Sequence, residues 1–271
     1  MLTACLQLCS IDSVEQNLEK VDLLLRQAVE QGVHLAALPE NFSFMHPDFE
    51  RKQKFAHHQA PEVLSFLAKA AKKYRLTIIG GSLLLPGRND KLRNACPIYD
   101  REGECLGIYD KMHLFDVDLT DGRYHESAQI EAGDTPLVVK IDEWRLGVSI
   151  CYDLRFPELY RWYAEQGCNL LSVPSAFTVP TGQAHWEVLL RARAIENQAY
   201  VLAPAQVGTH PGGRRTYGHS LIIDPWGTIV ARATDCGEDS GELICAELEP
   251  DLLVQIRHRL PSLAHKKIFR Q

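Results

Sequence analysis

The chain contains no C-x-x-C pair, no long uninterrupted apolar run and no surplus of basic residues. Each absence closes a class of function. Eight cysteines (5, 9, 96, 105, 151, 168, 236 and 245) are scattered through 271 residues, and the closest, Cys5 and Cys9, fall on a predicted strand. That spacing argues against zinc, and a chain of this size needs no disulfide staples. A reducing cytoplasm is the expected location. The densest apolar stretch, Leu76 to Leu85, is broken by Gly80, Gly81 and Ser82 and is too short to span a bilayer. The opening residues lack the basic n-region and small-residue cleavage site of a signal peptide, so no membrane partner is expected. A formal charge of -6 argues against nucleic acid, whose binding draws on clustered Lys and Arg. The basic group His265, Lys266, Lys267 and Arg270 reads as a solvated tail. No Gly-x-Ser-x-Gly elbow occurs, which removes the hydrolase serine that such a turn presents.

What is present is ordinary globular composition, 45% apolar and 24% charged. No linker, low-complexity tract or repeat interrupts residues 1–271, which read as one domain. Thr3 to Leu8 reads as a buried strand. Ser13 with Gln16 fits a capping box ahead of the stripe Leu18, Val21, Leu24, Leu25, Ala28 and Val29, and Gly32 ends that helix. His34 to Leu38 is a strand stopping at Pro39-Glu40, Pro61 opens a helix to about Tyr74, and Leu76 to Ile79 is the next strand. Asn94–Tyr99 and Glu104–Tyr109 form a predicted hairpin turning at Gly103.

Further on, Trp144–Ile150 is a predicted strand, with a helix opening at Pro157. Strands 169–173 and 200–203 flank a helix over 184–198. A hairpin over 219–231 turns at Pro225-Trp-Gly227, and a strand over 243–247 precedes a last helix over 250–259. Alternating β and α units with two hairpins imply an α/β fold with mixed sheets and helices on their faces. An all-parallel barrel fits less well, and pattern alone does not choose among the remaining arrangements.

Three strand exits carry reactive residue types: Glu40, Lys111 and Cys151, lying 71 and 40 residues apart. Reactive groups gather beyond the carboxyl ends of strands in α/β folds, and a base, a cation and a thiol supply the parts for covalent acyl transfer. Each also has a plainer reading, as loop acid, surface charge or buried packing thiol. The other seven cysteines are assigned to inert packing. Composition, with 11 His, leaves a papain-like Cys–His pair open, although Cys151 lacks that family's local signature. His57, His58 and His210 read as solvent-facing.

The segments Leu-Pro-Glu-Asn (38–41), Tyr-Asp-Lys-Met-His-Leu-Phe-Asp (109–116) and Cys-Tyr-Asp-Leu-Arg-Phe-Pro-Glu-Leu (151–159) resemble the three signature segments of the nitrilase superfamily of carbon–nitrogen hydrolases. The likeness runs from the first strand to the last helix. It implies a four-layer αββα sandwich of the nitrilase type, a homodimer, a small-molecule amide substrate, and no metal or organic cofactor. It implies Glu40 as general base, Lys111 as electrostatic stabiliser, Cys151 as nucleophile and Glu126 as a supporting acid. The backbone N–H of Tyr152 would join Lys111 in receiving the oxyanion.

Residues 174–196, with Arg215–Ser220 and Asp224–Gly227, resemble the Nit branch on the side of the deaminated glutathione amidases. This implies hydrolysis of deaminated glutathione to 2-oxoglutarate and cysteinylglycine, with ω-amidase activity on 2-oxoglutaramate or 2-oxosuccinamate as the alternative. A rival from another class is a catalytically silent ligand-binding or redox-sensing relative. Arg155 is the candidate grip on a 2-oxo-acid carboxylate, against a structural ion pair with Glu158 or Asp153, and the backbone around Phe177 is the candidate second wall, against mere core packing. His185-Trp186-Glu187 and Tyr217-Gly218-His219-Ser220 are assigned no chemistry.

Overall fold

A computed structural model of the chain describes residues 1–119, 122–234 and 241–267. Cys236 and Arg270 lie outside these. In chain order the elements are β1 (Leu2–Gln7), α1 (Val14–Glu30), β2 (Leu35–Ala37), α2 (Phe49–His58), α3 (Ala60–Tyr74), β3 (Thr77–Ile79), β4 (Leu83–Pro86), β5 (Leu92–Tyr99) and β6 (Cys105–Asp110). A small hairpin follows, β7 (Asp116–Leu119) and β8 (Gly122–His125), then β9 (Leu137–Ile141), β10 (Trp144–Val148), α4 (Pro157–Glu165), β11 (Leu170–Ser172), α5 (Val179–Asn197) and β12 (Tyr200–Ala203). A second hairpin, β13 (Val207–Thr209) and β14 (Arg215–Tyr217), leads to β15 (Leu221–Ile223), β16 (Ile229–Arg232), β17 (Glu242–Glu247), α6 (Pro250–Arg259) and α7 (Ser262–His265).

Two mixed sheets organise the molecule. In the first the order is β17-β1-β2-β3-β5-β4, with β6 along the other edge of β5; in the second it is β16-β15-β12-β11-β10-β9. Side chains alternate across each strand, and this alternation builds the layers. Cys5, Leu35, Ala37 and Ile79 of the first sheet share a core with Leu146, Val148, Leu170 and Val201 of the second. Their neighbours Ala4, Leu6, Ala36 and Ile78 face the opposite way, onto Leu24 and Leu25 of α1, Phe55 of α2 and Leu67 of α3. Beyond the second sheet, α4 lies close against β10, where a Cβ at Gly147 would come within 2.6 Å of the Tyr163 ring. The order is therefore helices, sheet, sheet, helices, the αββα sandwich. No described helix is long and apolar enough to cross a membrane.

Most expected elements form within a few residues of their sequence positions, and Ser13 does accept the Gln16 amide at the start of α1. The structure adds α2 and the strands β4, β7, β8, β9, β13 and β14, and α5 begins at Val179 rather than 184. Two cysteine expectations need correction. Cys9 lies beyond the end of β1, and Cys105, on the edge strand β6, is exposed rather than packed.

Candidate active site

Glu40 leaves the end of β2 through Leu38-Pro39 and is only 3% exposed. Its Oε1 accepts hydrogen bonds from Asn94 Nδ2 at 2.9 Å and Lys111 Nζ at 3.0 Å, and its carbonyl accepts one from Gln206 Nε2 at 2.9 Å. Lys111, one residue past β6, is 2% exposed. Its ammonium also donates to both oxygens of Glu126, at 3.0 and 2.9 Å, and Glu126 Oε2 accepts the Phe115 amide at 2.7 Å. A charge buried this deeply survives because two carboxylates answer it. Gly133 backs the loop: its N–H donates to the Lys111 carbonyl at 2.9 Å, and a Cβ there would stand 2.3 Å from the Asp110 carbonyl oxygen.

Cys151 ends the chain segment that leaves β10 and opens a single 3₁₀ turn over Cys151–Arg155. Its φ of 50° lies in the left-handed region, which costs a non-glycine residue about 1–3 kcal/mol unless the surroundings hold it. Asp153 is the holder. Buried completely, it accepts Ile150 N–H at 2.8 Å and Tyr109 Oη at 2.8 Å on one oxygen. The other oxygen takes the His113 amide at 2.9 Å and His113 Nδ1 at 2.7 Å. Tyr109 belongs to the first sheet, so this one carboxylate ties the cysteine turn to the strand that delivers Lys111.

The electrostatics follow from burial opposed by pairing. Burial would push the Glu40 carboxyl up, but the Lys111 ammonium, a hydrogen bond with Cys151 and the Arg214 guanidinium outweigh it and hold it below the usual carboxylate range. Burial would likewise push Lys111 down, but Glu126 and Glu40 raise it above the ordinary lysine range. Burial, followed by the Glu40 charge, pushes the Cys151 thiol well up. At neutral pH the arrangement is thus a neutral thiol facing an ionised acid beside a fixed cation. Such a set can remove a thiol proton at the moment of attack and shelter a developing oxyanion.

These groups open into a cavity of about 350 Å³, a size suited to a small metabolite. Arg155 and Phe177 line it. Arg155 makes no ion pair with Glu158, Asp153 or any other described acid. It lies instead over the rings of Tyr152 and Phe177, at 5.7 and 5.4 Å, with Nη1 3.3 Å from His185 Nδ1. His210 corrects an expectation: it is buried, 3% exposed, with Nδ1 2.9 Å from the Ser10 carbonyl and Nε2 2.7 Å from Thr216 Oγ1. Lys52 of α2 and Arg214 of the β13–β14 hairpin also line the cavity, and sequence reasoning missed both because their elements read as loop. Among the described residues no group of His, Cys, Asp and Glu is arranged to hold a metal ion.

Residues 2–258 match the carbon-nitrogen hydrolase family. The chain belongs to that family. Among its relatives, a deaminated glutathione amidase of Synechocystis is 46% identical over 98% of this chain and 97% of its own length. The deaminated glutathione amidase of Yersinia enterocolitica is 38% identical over 97% and 92%. Of solved structures, the Caenorhabditis elegans NitFhit protein superposes on this carbon-nitrogen hydrolase with a TM-score of 0.91 at 37% identity, covering 98% of this chain and 65% of that one. Nit3 of Saccharomyces cerevisiae, from branch 10 of the nitrilase superfamily, gives 0.84 at 30% identity over 96% and 94%.

Proposed function

We propose that this carbon-nitrogen hydrolase cleaves deaminated glutathione into 2-oxoglutarate and cysteinylglycine through a thioester on Cys151. The observation carrying the reading is a guanidinium without a carboxylate partner, Arg155, four residues from a buried thiol that faces Glu40 and Lys111 in one cavity. A 2-oxo-acid end would lie against Arg155 and the Phe177 wall, which puts its amide carbonyl over Cys151. As sulfur attacks the carbonyl carbon, Glu40 takes the thiol proton. Lys111 and the Tyr152 N–H receive the negative oxygen. The C–N bond then breaks, Glu40 returns the proton to the leaving nitrogen, and cysteinylglycine departs. A water attacks the thioester carbon with its proton passing to Glu40; the C–S bond breaks, the sulfur is reprotonated, and 2-oxoglutarate leaves. Glu126 keeps Lys111 charged throughout.

The same grip would serve 2-oxoglutaramate, the ω-amidase substrate. Incubation with each substrate, following 2-oxoglutarate release, separates the readings. A kcat/KM about tenfold or more higher for deaminated glutathione is expected. The opposite preference assigns the protein to ω-amidase chemistry, and turnover of neither favours the silent binding relative. The two sheets share a core, which supports reading residues 1–271 as a single domain. The exposed apolar side chains Val188 and Ile195 on α5 and Trp226 on the adjoining turn support a homodimer, to be checked by light scattering. Described cysteines that are all free thiols suit a cytoplasmic setting.

A further inference from the structure

The cavity holds more cations than the proposed reaction contacts. Lys52 and Arg214 come from α2 and from the β13–β14 hairpin, and both line the cleft that contains Cys151. Neither forms an ion pair with a described residue. Lys52 Nζ donates to the neutral amide oxygen Gln129 Oε1 at 3.0 Å. Arg214 Nη2 donates to the Ala176 carbonyl at 2.8 Å, its guanidinium lies 5.6 Å over the Tyr124 ring, and its Nε is buried with no acceptor. The acids nearby have closer partners: Glu40, whose carboxyl also feels the Arg214 charge, is held by Lys111 and Asn94, Glu126 by Lys111 and Phe115, and Asp48 by the start of α2. Burial, and then the Arg214 charge, pushes Lys52 below the ordinary lysine range, outweighing the opposing pull of Glu126 and Asp48.

The placement of this pair is informative. Arg155 stands over Tyr152, Tyr152 packs on Phe115, Phe115 on Tyr124, and Arg214 stands over Tyr124. The two guanidiniums thus stand over the two ends of a row of three rings, and Arg214 is also tied to the Ala176 carbonyl, next to the Phe177 ring that Arg155 covers. A ligand with a carboxylate at each end would complement cations at both places in this one cavity. We infer that Lys52 and Arg214 form a second anion-binding position that takes the terminal carboxylate of the leaving fragment. The inference rests on the proposed substrate, whose cysteinylglycine half ends in such a carboxylate. The pair would select amides of carboxylate-bearing amines over amides that release ammonia, with Arg214 supplying the fork and Lys52 a point charge.

Two measurements test it. In the first, kcat/KM is compared for deaminated glutathione and for the same compound capped as its C-terminal amide. The ratio of acid to amide is expected to fall about tenfold or more, through KM, in Lys52→Gln and in Arg214→Gln, and to recover partly in Arg214→Lys. In the second, S-methylcysteinylglycine or its C-terminal amide competes with alkylation of Cys151 by iodoacetamide, read by peptide mass spectrometry. The acid should protect the wild type where the amide does not, and Lys52→Gln should erase the difference. Equal protection by acid and amide in the wild type, or an unchanged kinetic ratio in both glutamine variants, overturns the inference. Selective protection without turnover of deaminated glutathione keeps the anion position and removes the proposed substrate. Turnover without selective protection does the reverse.

Discussion

Glu126 meets Lys111 through both carboxylate oxygens, at 3.0 and 2.9 Å, whereas Glu40 meets the same ammonium through Oε1 alone. Asn94 donates to that Oε1 as well, and the Glu40 carboxylate also has a hydrogen bond with the Cys151 thiol. The two acids are thereby divided: one fixes the cation, the other is free to move a proton.

Replacing Lys111 by Met leaves the buried Glu40 and the half-buried Glu126 with no cation between them. Loss of one partner of a buried pair costs about 3–5 kcal/mol at neutral pH, and loss of an oxyanion donor costs about 10²–10³ in kcat. The pH dependence of stability should also reverse. In the wild type the depressed Glu40 value adds stability above its ordinary 4.5 that is lost as pH falls. In Lys111→Met burial of Glu40 is no longer opposed by the ammonium and its folded value rises, so its contribution is greatest at low pH and lost as pH increases. Thermal unfolding at pH 5 and pH 8 checks this; a variant whose Tm ignores pH would contradict the pairing.

The profile of kcat/KM against pH should be broad. Glu40 stays ionised until pH falls below its ordinary 4.5, and the buried Cys151 thiol keeps its proton to above its ordinary 9.0. A plateau from about pH 5 to about pH 9 is expected. A narrow bell centred near neutrality would instead indicate a thiolate–imidazolium pair.

Asp153→Asn keeps one of the two oxygens and turns the other into a donor, so two of the four donors that Asp153 serves lose their acceptor and meet an N–H instead. Each donor left unsatisfied costs about 1–3 kcal/mol, whereas Tyr109→Phe removes a single bond and should cost about 1 kcal/mol. Activity should fall more steeply than stability in Asp153→Asn, because the left-handed backbone at Cys151 loses its holder. Urea unfolding alongside kcat for both variants separates the two effects; equal losses would assign Asp153 a packing role only.

Gly133→Ala places a methyl group 2.3 Å from the Asp110 carbonyl oxygen, a backbone atom with little room to yield. Overpacking of this kind costs about 1–3 kcal/mol, and the strand end carrying Lys111 must shift to relieve it. A drop in kcat is expected from steady-state kinetics, and wild-type turnover would show that the Lys111 loop adapts.

The parts of the fold legible in the sequence were those with strong local signals. Ser13 capped α1, the turn at Gly103 joined β5 to β6, and apolar runs stopping at Glu40, Lys111 and Cys151 marked three strand exits. Helix α2 was not legible because only Phe55 and Ala56 of its ten residues are buried, although Asp48 caps it by accepting the Arg51 amide. The first turns of α5 were masked by Gly182, whose missing side chain makes room for Tyr217. His210 looked like a surface residue because its partner Ser10 lies 200 positions away. The anion-binding candidates Lys52 and Arg214 were hidden for the same reason: no local pattern marks a cavity wall assembled from separate segments.

Glu40 and Lys111 hang from one sheet and Cys151 from the other, so the reacting atoms straddle a seam held by side-chain packing, the Asp153 clamp, the Gln206 hydrogen bond to the Glu40 carbonyl and the isolated Leu8–Gln206 bridge rather than by a continuous strand ladder. A small slip along that seam would pull sulfur from acid while every helix and ladder stayed intact. Heating should therefore silence the enzyme before circular dichroism registers any melting, making turnover the finer gauge of whether the two halves remain in register.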